Sequence, residues 1–239
     1  MRHLLTHSAG WYGDYFNDCG RGDDALAKLV AELGKVPQVS APGEIFSYSN
    51  TCFNVAGRVL EVVAGKPYET VIEELALTPL GLKDSVFFAE EVLLRRFAMG
   101  HTNVAGKPET IKRWGRSRSA SPTGGIICSA RDLLRYAAFQ MGDGRLPGGK
   151  RIISQKSMDM LHEPLRKAFG DKRVALSWFV YEAGGRKVLW HGGGTLGQIC
   201  ELHIIPSERL AVVVLTNSDH TVALSSGVAK LALKELVGY

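Results

Sequence analysis

The hydrophobic pattern of the chain changes its period once, near Ala175, and this change constrains the fold more than any other feature. Before it, apolar residues recur every three or four positions, as on one face of a helix. After it, four segments show a period of two, which is typical of strands: ALSWFVYEAG, KVLWHGGG, GQICELHIIP and LAVVVLTN. Because the strands follow the helices instead of alternating with them, the pattern indicates an α+β fold and disfavours a parallel doubly wound sheet.

The strands are expected to be antiparallel, because the turn PSER at Pro206 to Arg209 joins two of them as a hairpin would. The last segment, TVALSSGVAKLALKELVGY, returns to helical spacing and is expected to pack across the sheet. No internal repeat or low-complexity linker divides the chain. We therefore expect residues 1–239 to form a single domain, mainly helical over about 1–165, with antiparallel strands and a C-terminal helix over about 170–239.

Four helices are predicted in the first region, in DDALAKLVAELGK, SNTCFNVAGRVLEVVAG, PYETVIEELAL and SARDLLRYAAFQMGDG. The second has Ser49 or Asn50 available as N-cap and Gly65 as its stop. The fourth has Ser129 as N-cap, with Asp132 three residues later as a weaker capping-box partner.

Composition excludes several classes of protein. The 239 residues are 45% hydrophobic and 22% charged, as expected for a soluble globular protein with one large core or two coupled cores. The apolar runs are far shorter than the roughly 20 residues that span a bilayer, so no membrane span is expected. The N-terminus MRHLLTHSAG has no apolar signal core, so the sequence as written indicates a cytoplasmic protein. Localisation stays open, because an export signal would lie upstream.

The charge and the cysteines point to no special partner. The net charge is +5, but the only dense basic cluster, Lys112 to Ser119, is interpreted as a solvated loop, and no nucleic-acid partner is expected. Cys19, Cys52, Cys128 and Cys200 are widely spaced, which favours buried free thiols over a disulfide framework. Without an H-E-x-x-H pattern or clustered ligands, neither a metal nor a cofactor is expected.

Three polar stretches are candidates for chemistry: LLTHSAGW, SYSN and WHGGGTLG. Gly192, Gly193 and Gly194 remove three consecutive side chains, so backbone can approach a ligand and N–H groups can stabilise an oxyanion. The alternative is a bulge or turn at a strand end. HGGG also occurs in α/β-hydrolase esterases, but here no G-x-S-x-G follows it and no βαβ pattern would hold one.

In SYSN, Tyr48 and Asn50 lie two residues apart where a helix begins. Tyrosine has a pKa of about 10 in water, so it acts as a base near neutrality only where positive charge favours the phenolate. Asparagine donates and accepts hydrogen bonds, which suits it to orient a substrate amide or a catalytic lysine. The alternative interpretation of the triplet is an ordinary capped helix.

Taken in order, six motifs resemble the serine β-lactamase-related superfamily, which includes class C β-lactamases, D-alanyl-D-alanine peptidases and family VIII esterases. They are LLTHSAGW, PGEIFSYSN, TPLGLKDS, SPTGGIICSARDLLRY, WHGGGTLG and AVVVLTNS. The resemblance runs from about Leu4 to Asn217 and implies a β-lactamase/transpeptidase-like fold.

The resemblance also implies roles for individual residues. Tyr48 would act with a lysine in proton transfer to and from a nucleophilic serine, and Asn50 would contact the substrate or that lysine. His191, Gly192 and Gly193 would form the K-T-G or H-x-G motif. The backbone N–H of Gly194 would be one of two oxyanion donors. Thr195, with Gly192 and Gly193, would contact the substrate.

The nucleophile motif of this family, S-x-x-K, is absent, since no serine in the chain has a lysine three positions after it. In the family this motif lies upstream of LLTH, so we expect a missing N-terminal segment. Its helix and strands would join the sheet, and without them we expect an exposed sheet edge and apolar surface, which favours self-association.

The preferred hypothesis is a serine hydrolase that acts through an acyl-enzyme on small-molecule ester, peptide or β-lactam-like carbonyls. Its nucleophile would lie outside this chain. The alternative is a non-catalytic binding homologue, or an inactive fragment, that keeps the cleft.

Overall fold

The computed structural model of the chain describes residues 1–113 and 117–238. Its helices precede the main sheet in chain order, apart from one that follows it. The described helices are α1 (Arg2–Leu5), α2 (Ala25–Ala31), α3 (Asn50–Ala64), α4 (Tyr68–Ile72), α5 (Ala89–Val92), α6 (Ala130–Gln140), α7 (Gln155–His162) and α8 (Val222–Val237). Each of the five segments with helical spacing contains a helix, whereas α1, α5 and α7 lie outside them. None of these helices has the length and apolar character needed to cross a bilayer.

Six strands form one antiparallel sheet in which the spatial order equals the chain order. They are β3 (Arg166–Lys167), β4 (Arg173–Val174), β5 (Phe179–Ala183), β6 (Arg186–Thr195), β7 (Gln198–Ile205) and β8 (Leu210–Thr216). The predicted turn at Pro206 to Arg209 joins β7 to β8, whose residues pair from Ile205 with Leu210 to Ile199 with Thr216. The prediction of an α+β fold with an antiparallel sheet is confirmed.

A second, smaller hairpin lies in the region that was expected to hold only helices and loops. Its strands are β1 (His101–Val104) and β2 (Lys107–Thr110), which pair in antiparallel register. All four residues of β2 are exposed, so this strand lacks the alternation of apolar and polar residues that would predict it.

The three glycines of WHGGGTLG lie among the last four residues of β6, at the strand end where the sequence placed them, but they form no bulge or turn. Strand β6 continues through them to Thr195, and Gly192, Gly193 and Gly194 each oppose one residue of β7. Because the ladder is unbroken, the alternative of a bulge or turn at these glycines is wrong. The turn comes after them, at Leu196 and Gly197.

Two clusters of buried residues lie against the sheet, one on each face, and a third, of Leu77, Leu80 and Leu82, lies in the helical region. On one face, Leu189, Leu202 and Ile204 pack with Ala137 of α6 and with Trp178. On the other, Val188 and Ile205 pack with Leu233 of α8. The interpretation of residues 1–239 as one domain stays a prediction.

The basic cluster from Lys112 to Ser119 is only partly a solvated loop. Residues 114–116 lie outside the described residues. At the end of the cluster, Arg118 forms ion pairs with Asp23 at 2.7 Å and with Glu69 at 3.3 Å, and Ser119 is fully buried. The solvated-loop interpretation is therefore wrong for Arg118 and Ser119, which join this segment to the helical region.

The capping of α6 is also simpler than predicted. Ser129 Oγ accepts the backbone N–H of Asp132 at 3.2 Å, as an N-cap should. The buried Asp132 carboxylate does not return to Ser129. It accepts the N–H of Asp84 at 2.7 Å and the hydroxyl of Ser85 at 2.9 Å, so it links α6 to the preceding loop instead of completing a capping box.

Strand β8 ends the sheet on the side that follows β7. Helix α8, which packs beside it, exposes five large apolar side chains by 45–61%: Val222, Leu224, Val228, Leu231 and Leu236. Apolar exposure on this scale is typical of a surface that another segment or subunit covers. Self-association through this surface stays a prediction.

Two helical glycines allow a matched test of the packing. A Cβ at Gly57 of α3 would overlap the ring of Pro122, whereas a Cβ at Gly227 of α8 meets nothing within 4 Å. Alanine is favoured over glycine in a helix by about 1 kcal/mol. Overpacking a tight contact costs about 1–3 kcal/mol. We expect Gly227→Ala to raise the free energy of unfolding and Gly57→Ala to lower it, as measured by urea denaturation. Equal stabilisation by both changes would contradict the close contact between α3 and Pro122.

The buried His162 predicts a pH dependence of stability. Its Nε2–H donates to Gln140 Oε1 at 2.8 Å and joins α7 to α6. Burial, with a smaller contribution from Lys187, lowers the pKa of His162 from 6.5 to about 4, against the opposing charge of Asp159. Because the folded pKa lies below the unfolded one, this stabilising contribution is complete above pH 6.5 and is lost as the pH falls towards 4.

We therefore expect His162→Gln, which keeps an N–H donor but cannot titrate, to lose less stability between pH 7 and pH 4 than the parent. The difference should be of order 3 kcal/mol by urea denaturation at the two pH values. Parallel loss of stability in the two proteins would contradict the assignment of a neutral His162.

Candidate active site

A cleft of about 780 Å³ separates the helical region from the sheet. All seven residues that the sequence singled out line it: Tyr48, Asn50, His191, Gly192, Gly193, Gly194 and Thr195. Its apolar wall comes from both regions and includes Phe53, Leu133, Tyr136, Trp178 and Leu202. The cleft therefore combines an apolar wall with a few convergent polar groups, the usual composition of a small-molecule site.

Tyr48 lies on the helical wall, immediately before α3. Its side chain is 42% exposed. One face of its ring stacks on the imidazole of His7, with centroids 4.2 Å apart, and the ring of Phe179 lies 6.3 Å away. The stacking holds the apolar part of the ring while part of the side chain remains open to solvent.

Helix α3 is capped by a residue that the sequence did not indicate. Ser49 occupies the N-cap position, but its hydroxyl donates to the carbonyl of Gly13 at 3.2 Å and caps no helical N–H. Instead the carboxylate of Asp14 accepts the backbone N–H of Asn50 at 2.5 Å. A carboxylate at this position also interacts favourably with the helix dipole. Ser49 is therefore the N-cap residue, as one of the two predictions had it, but its side chain makes no capping bond, and Asn50 is the first residue of the helix.

The same carboxylate holds the side chain of Asn50. Its Nδ2 donates one of its two N–H groups to Asp14 Oδ2 at 2.8 Å, which orients the amide. The amide oxygen can accept a hydrogen bond from a substrate or from a lysine ammonium.

The opposite wall of the cleft is formed by the end of β6 that extends beyond β5. Its pairing with β5 ends at Trp190, whereas its pairing with β7 continues to Thr195. Hydrogen bonding alternates along an antiparallel ladder, and the pair of Thr195 and Gln198 closes the hairpin. Counted from this pair, the N–H of Gly194 points away from β7 and past the end of β5. This direction leaves it available to a ligand in the cleft.

His191 is a neutral imidazole beside these glycines. Burial lowers its pKa, and the hydrogen bond to Gly192 and the charge of Glu201 only partly oppose this effect. Its Nδ1 lies 2.6 Å from the carbonyl oxygen of Gly192, to which Nδ1–H donates. Nε2 is then unprotonated and can accept a hydrogen bond.

Two of the four cysteines line the cleft. Burial raises the pKa of Cys128 to about 12 and also raises that of Cys200, so both are neutral thiols. All four cysteines are free, which confirms the prediction of free thiols, although only Cys52 is fully buried. The described residues contain no group of three His, Cys, Asp or Glu side chains that could bind a metal.

Sequence reasoning missed the residues that support the site through hydrogen bonds to its backbone and side chains. His7 and Asp14 contact Ser49 and Asn50, which lie 42 and 36 residues later in the chain. The motif LLTHSAGW was recognised as polar and unusual, but no pattern in one sequence indicates which later residues it contacts. Arg113, an exposed cation at the cleft, belongs to the basic cluster that the sequence analysis interpreted as a solvated loop and did not assign to the site.

Comparison with known proteins agrees with the geometry. Penicillin-binding protein 4 of Amycolatopsis lactamdurans is 31% identical to 98% of the chain, which spans 64% of that protein. The D-alanyl-D-alanine-carboxypeptidase/endopeptidase AmpH of Escherichia coli is 24% identical over 76% of the chain, equal to 48% of AmpH. The chain therefore spans less than two thirds of these relatives.

Among solved structures, the octameric penicillin-binding protein homologue from Pyrococcus abyssi matches 99% of the chain with a TM-score of 0.81 and 26% identity. The chain covers 55% of that protein. The D-amino acid amidase from Ochrobactrum anthropi, at 20% identity and a TM-score of 0.77, shares the fold. The Beta-lactamase family matches residues 1–235. The chain belongs to the Beta-lactamase family and has its transpeptidase-like fold.

Proposed function

We propose that the chain forms two walls of the active site of a serine hydrolase that acts on ester or amide carbonyls, including peptide and β-lactam-like substrates, through an acyl-enzyme. The observation that carries the proposal is the placement of Tyr48 and the Gly194 N–H on opposite walls of one cleft. The 239 residues contain no S-x-x-K, the motif that carries the nucleophile in this family. We propose that it lies on an upstream segment.

In this mechanism each group has a defined task. The upstream serine attacks the carbonyl carbon, and its proton passes to the phenolate oxygen of Tyr48. Tyr48 then returns the proton to the leaving group, and the same exchange with water completes deacylation. The Gly194 N–H stabilises the oxyanion that forms during attack. His191 Nε2 and the Asn50 amide oxygen accept hydrogen bonds that orient the substrate or the lysine.

The proposed role of Tyr48 as a base requires positive charge beside its hydroxyl. A phenol acts as a base near neutrality only beside a cation. We propose that the lysine of an upstream S-x-x-K supplies this charge.

The proposed substrate class is supported by the names of the relatives and by one residue. The names of the relatives include a penicillin-binding protein and a D-alanyl-D-alanine-carboxypeptidase/endopeptidase. His191 replaces the lysine of K-T-G, which resembles the peptidases and esterases of the family more than its efficient β-lactamases. We therefore propose that peptides and esters are better substrates than β-lactams.

A second candidate function is a non-catalytic binding protein. The absence of S-x-x-K favours it, because the cleft alone can still hold a ligand. The DNA before the Met1 codon distinguishes the two proposals. An in-frame S-x-x-K supports the hydrolase, whereas a stop codon or a functional ribosome-binding site directly before Met1 supports the binding protein.

The role of Tyr48 can be tested in the protein with its upstream S-x-x-K segment. We expect Tyr48→Phe to lower kcat/KM for p-nitrophenyl esters by about 10²–10⁴-fold, the usual contribution of a general base. Tyr12→Phe is the matched control, because Tyr12 is 70% exposed and does not line the cleft. Unchanged hydrolysis of p-nitrophenyl esters and nitrocefin by Tyr48→Phe would refute the proposed role.

The chain of residues 1–239 alone provides the complementary test. Without a serine and lysine pair it should form no acyl-enzyme, so mixing with excess p-nitrophenyl acetate should give no stoichiometric burst of nitrophenol. A burst equal to the protein concentration would show that another residue of this chain is the nucleophile.

A further inference from the structure

His7 holds the backbone on both sides of Tyr48. Its carbonyl oxygen accepts the N–H of Ser47 at 2.8 Å. Its Nδ1 accepts the N–H of Ser49 at 3.1 Å. The two residues that flank Tyr48 are therefore bonded to one residue, 40 positions or more earlier in the chain, and the ring of Tyr48 stacks on the side chain of that same residue.

The contacts of Nδ1 favour one tautomer of His7. Nδ1 lies 3.1 Å from the backbone nitrogen of Ser49, whose N–H is a fixed donor, and 3.2 Å from the carbonyl oxygen of the same residue. Accepting the N–H requires an unprotonated Nδ1. Burial lowers the pKa of His7 from 6.5 to about 4, against the hydrogen bond to Ser49, so the imidazole is neutral, and in this tautomer its proton lies on Nε2. The titratable groups that face it are Asp14 and His191, and the other neighbours are the rings of Phe46, Phe53 and Phe179.

Packing alone does not explain why position 7 is a histidine. His7 is 1% exposed, its Nε2 has no hydrogen-bond partner among the described residues, and its φ of 50° lies in the left-handed region that side chains other than glycine rarely adopt. Phenylalanine would fill the space without a buried polar atom, and asparagine would accept the Ser49 N–H at a more tolerated φ. Only histidine among neutral side chains supplies both the acceptor and the flat ring.

We propose that His7 is a positioning residue, which fixes the ring and the flanking backbone of Tyr48 so that its hydroxyl is held in the cleft opposite β6. The consequence for turnover rests on the proposed function. The positioning itself does not, because it is a statement about the geometry of Tyr48.

The positioning is tested by NMR of the chain with ¹³C-labelled tyrosine and ¹⁵N-labelled backbone, with Tyr48 assigned through Tyr48→Phe. In the parent, the stacked imidazole should displace the Tyr48 ring signals from those of the exposed Tyr12. His7→Asn keeps an acceptor and should move the ring signals towards the exposed position. His7→Phe keeps a ring and should instead shift the Ser49 amide signal. His220→Asn, at an exposed histidine, is the control and should do neither.

Unchanged Tyr48 ring signals in His7→Asn would overturn the proposal. If that variant does not fold, His7→Phe decides, because an unchanged Ser49 amide signal in His7→Phe would overturn the proposal.

Kinetics of the protein with its upstream segment separate positioning from a general effect on folding. His7→Asn should lower kcat by about 100-fold, the size of effect that a misplaced catalytic group produces, and leave KM within about threefold. A change in KM alone would refute a positioning role. If Tyr48→Phe has no effect on turnover, the proposed function fails, but the NMR result still decides whether His7 positions Tyr48.

Discussion

The contact between the N-terminal segment and the sheet is centred on the buried ring of Phe179, at the first position of β5. Rings from both sides surround it at centroid distances of 5.4–6.3 Å: His7, Phe46 and Tyr48 from the N-terminal segment, and Trp190 and His191 from β6. Aromatic rings pack in a few preferred arrangements, so a cluster of this kind fixes distance and orientation together. The separation of the two cleft walls follows from it.

Several titratable groups in and behind the cleft are uncharged, although the lining residue Glu201 has a lowered pKa and is a carboxylate. Burial keeps His7 and His191 uncharged and keeps Cys128 and Cys200 as thiols. The chain supplies oriented polar groups. The Gly194 N–H points past the end of β5, and the Asn50 amide is held by Asp14. Preorganised dipoles of this kind need no rearrangement when charge develops in a reaction. In the proposed mechanism the positive charge comes from the upstream segment.

Periodicity predicted the architecture, because burial of one face imposes a repeat on each helix and strand separately. It therefore located α3, α6, α8 and the hairpin of β7 and β8. It failed where burial does not set the pattern, as in the exposed strand β2, and where a charged residue is buried by pairing, as in Arg118. Motif order brought Tyr48, His191 and Gly194 together. The supports of the site, His7 and Asp14, act through contacts that span 36 to 42 residues, which local patterns do not encode.

The central claim is that the N-terminal segment and the sheet share one ring cluster, which places Tyr48 across the cleft from β6. The most direct test is a nuclear Overhauser spectrum of the chain with selectively labelled tyrosine and phenylalanine rings. The account predicts cross-peaks between the ring protons of Tyr48 and those of Phe179, whose centroids lie 6.3 Å apart. A Tyr48 ring without cross-peaks to Phe179, in a chain whose sheet is otherwise intact, would contradict it.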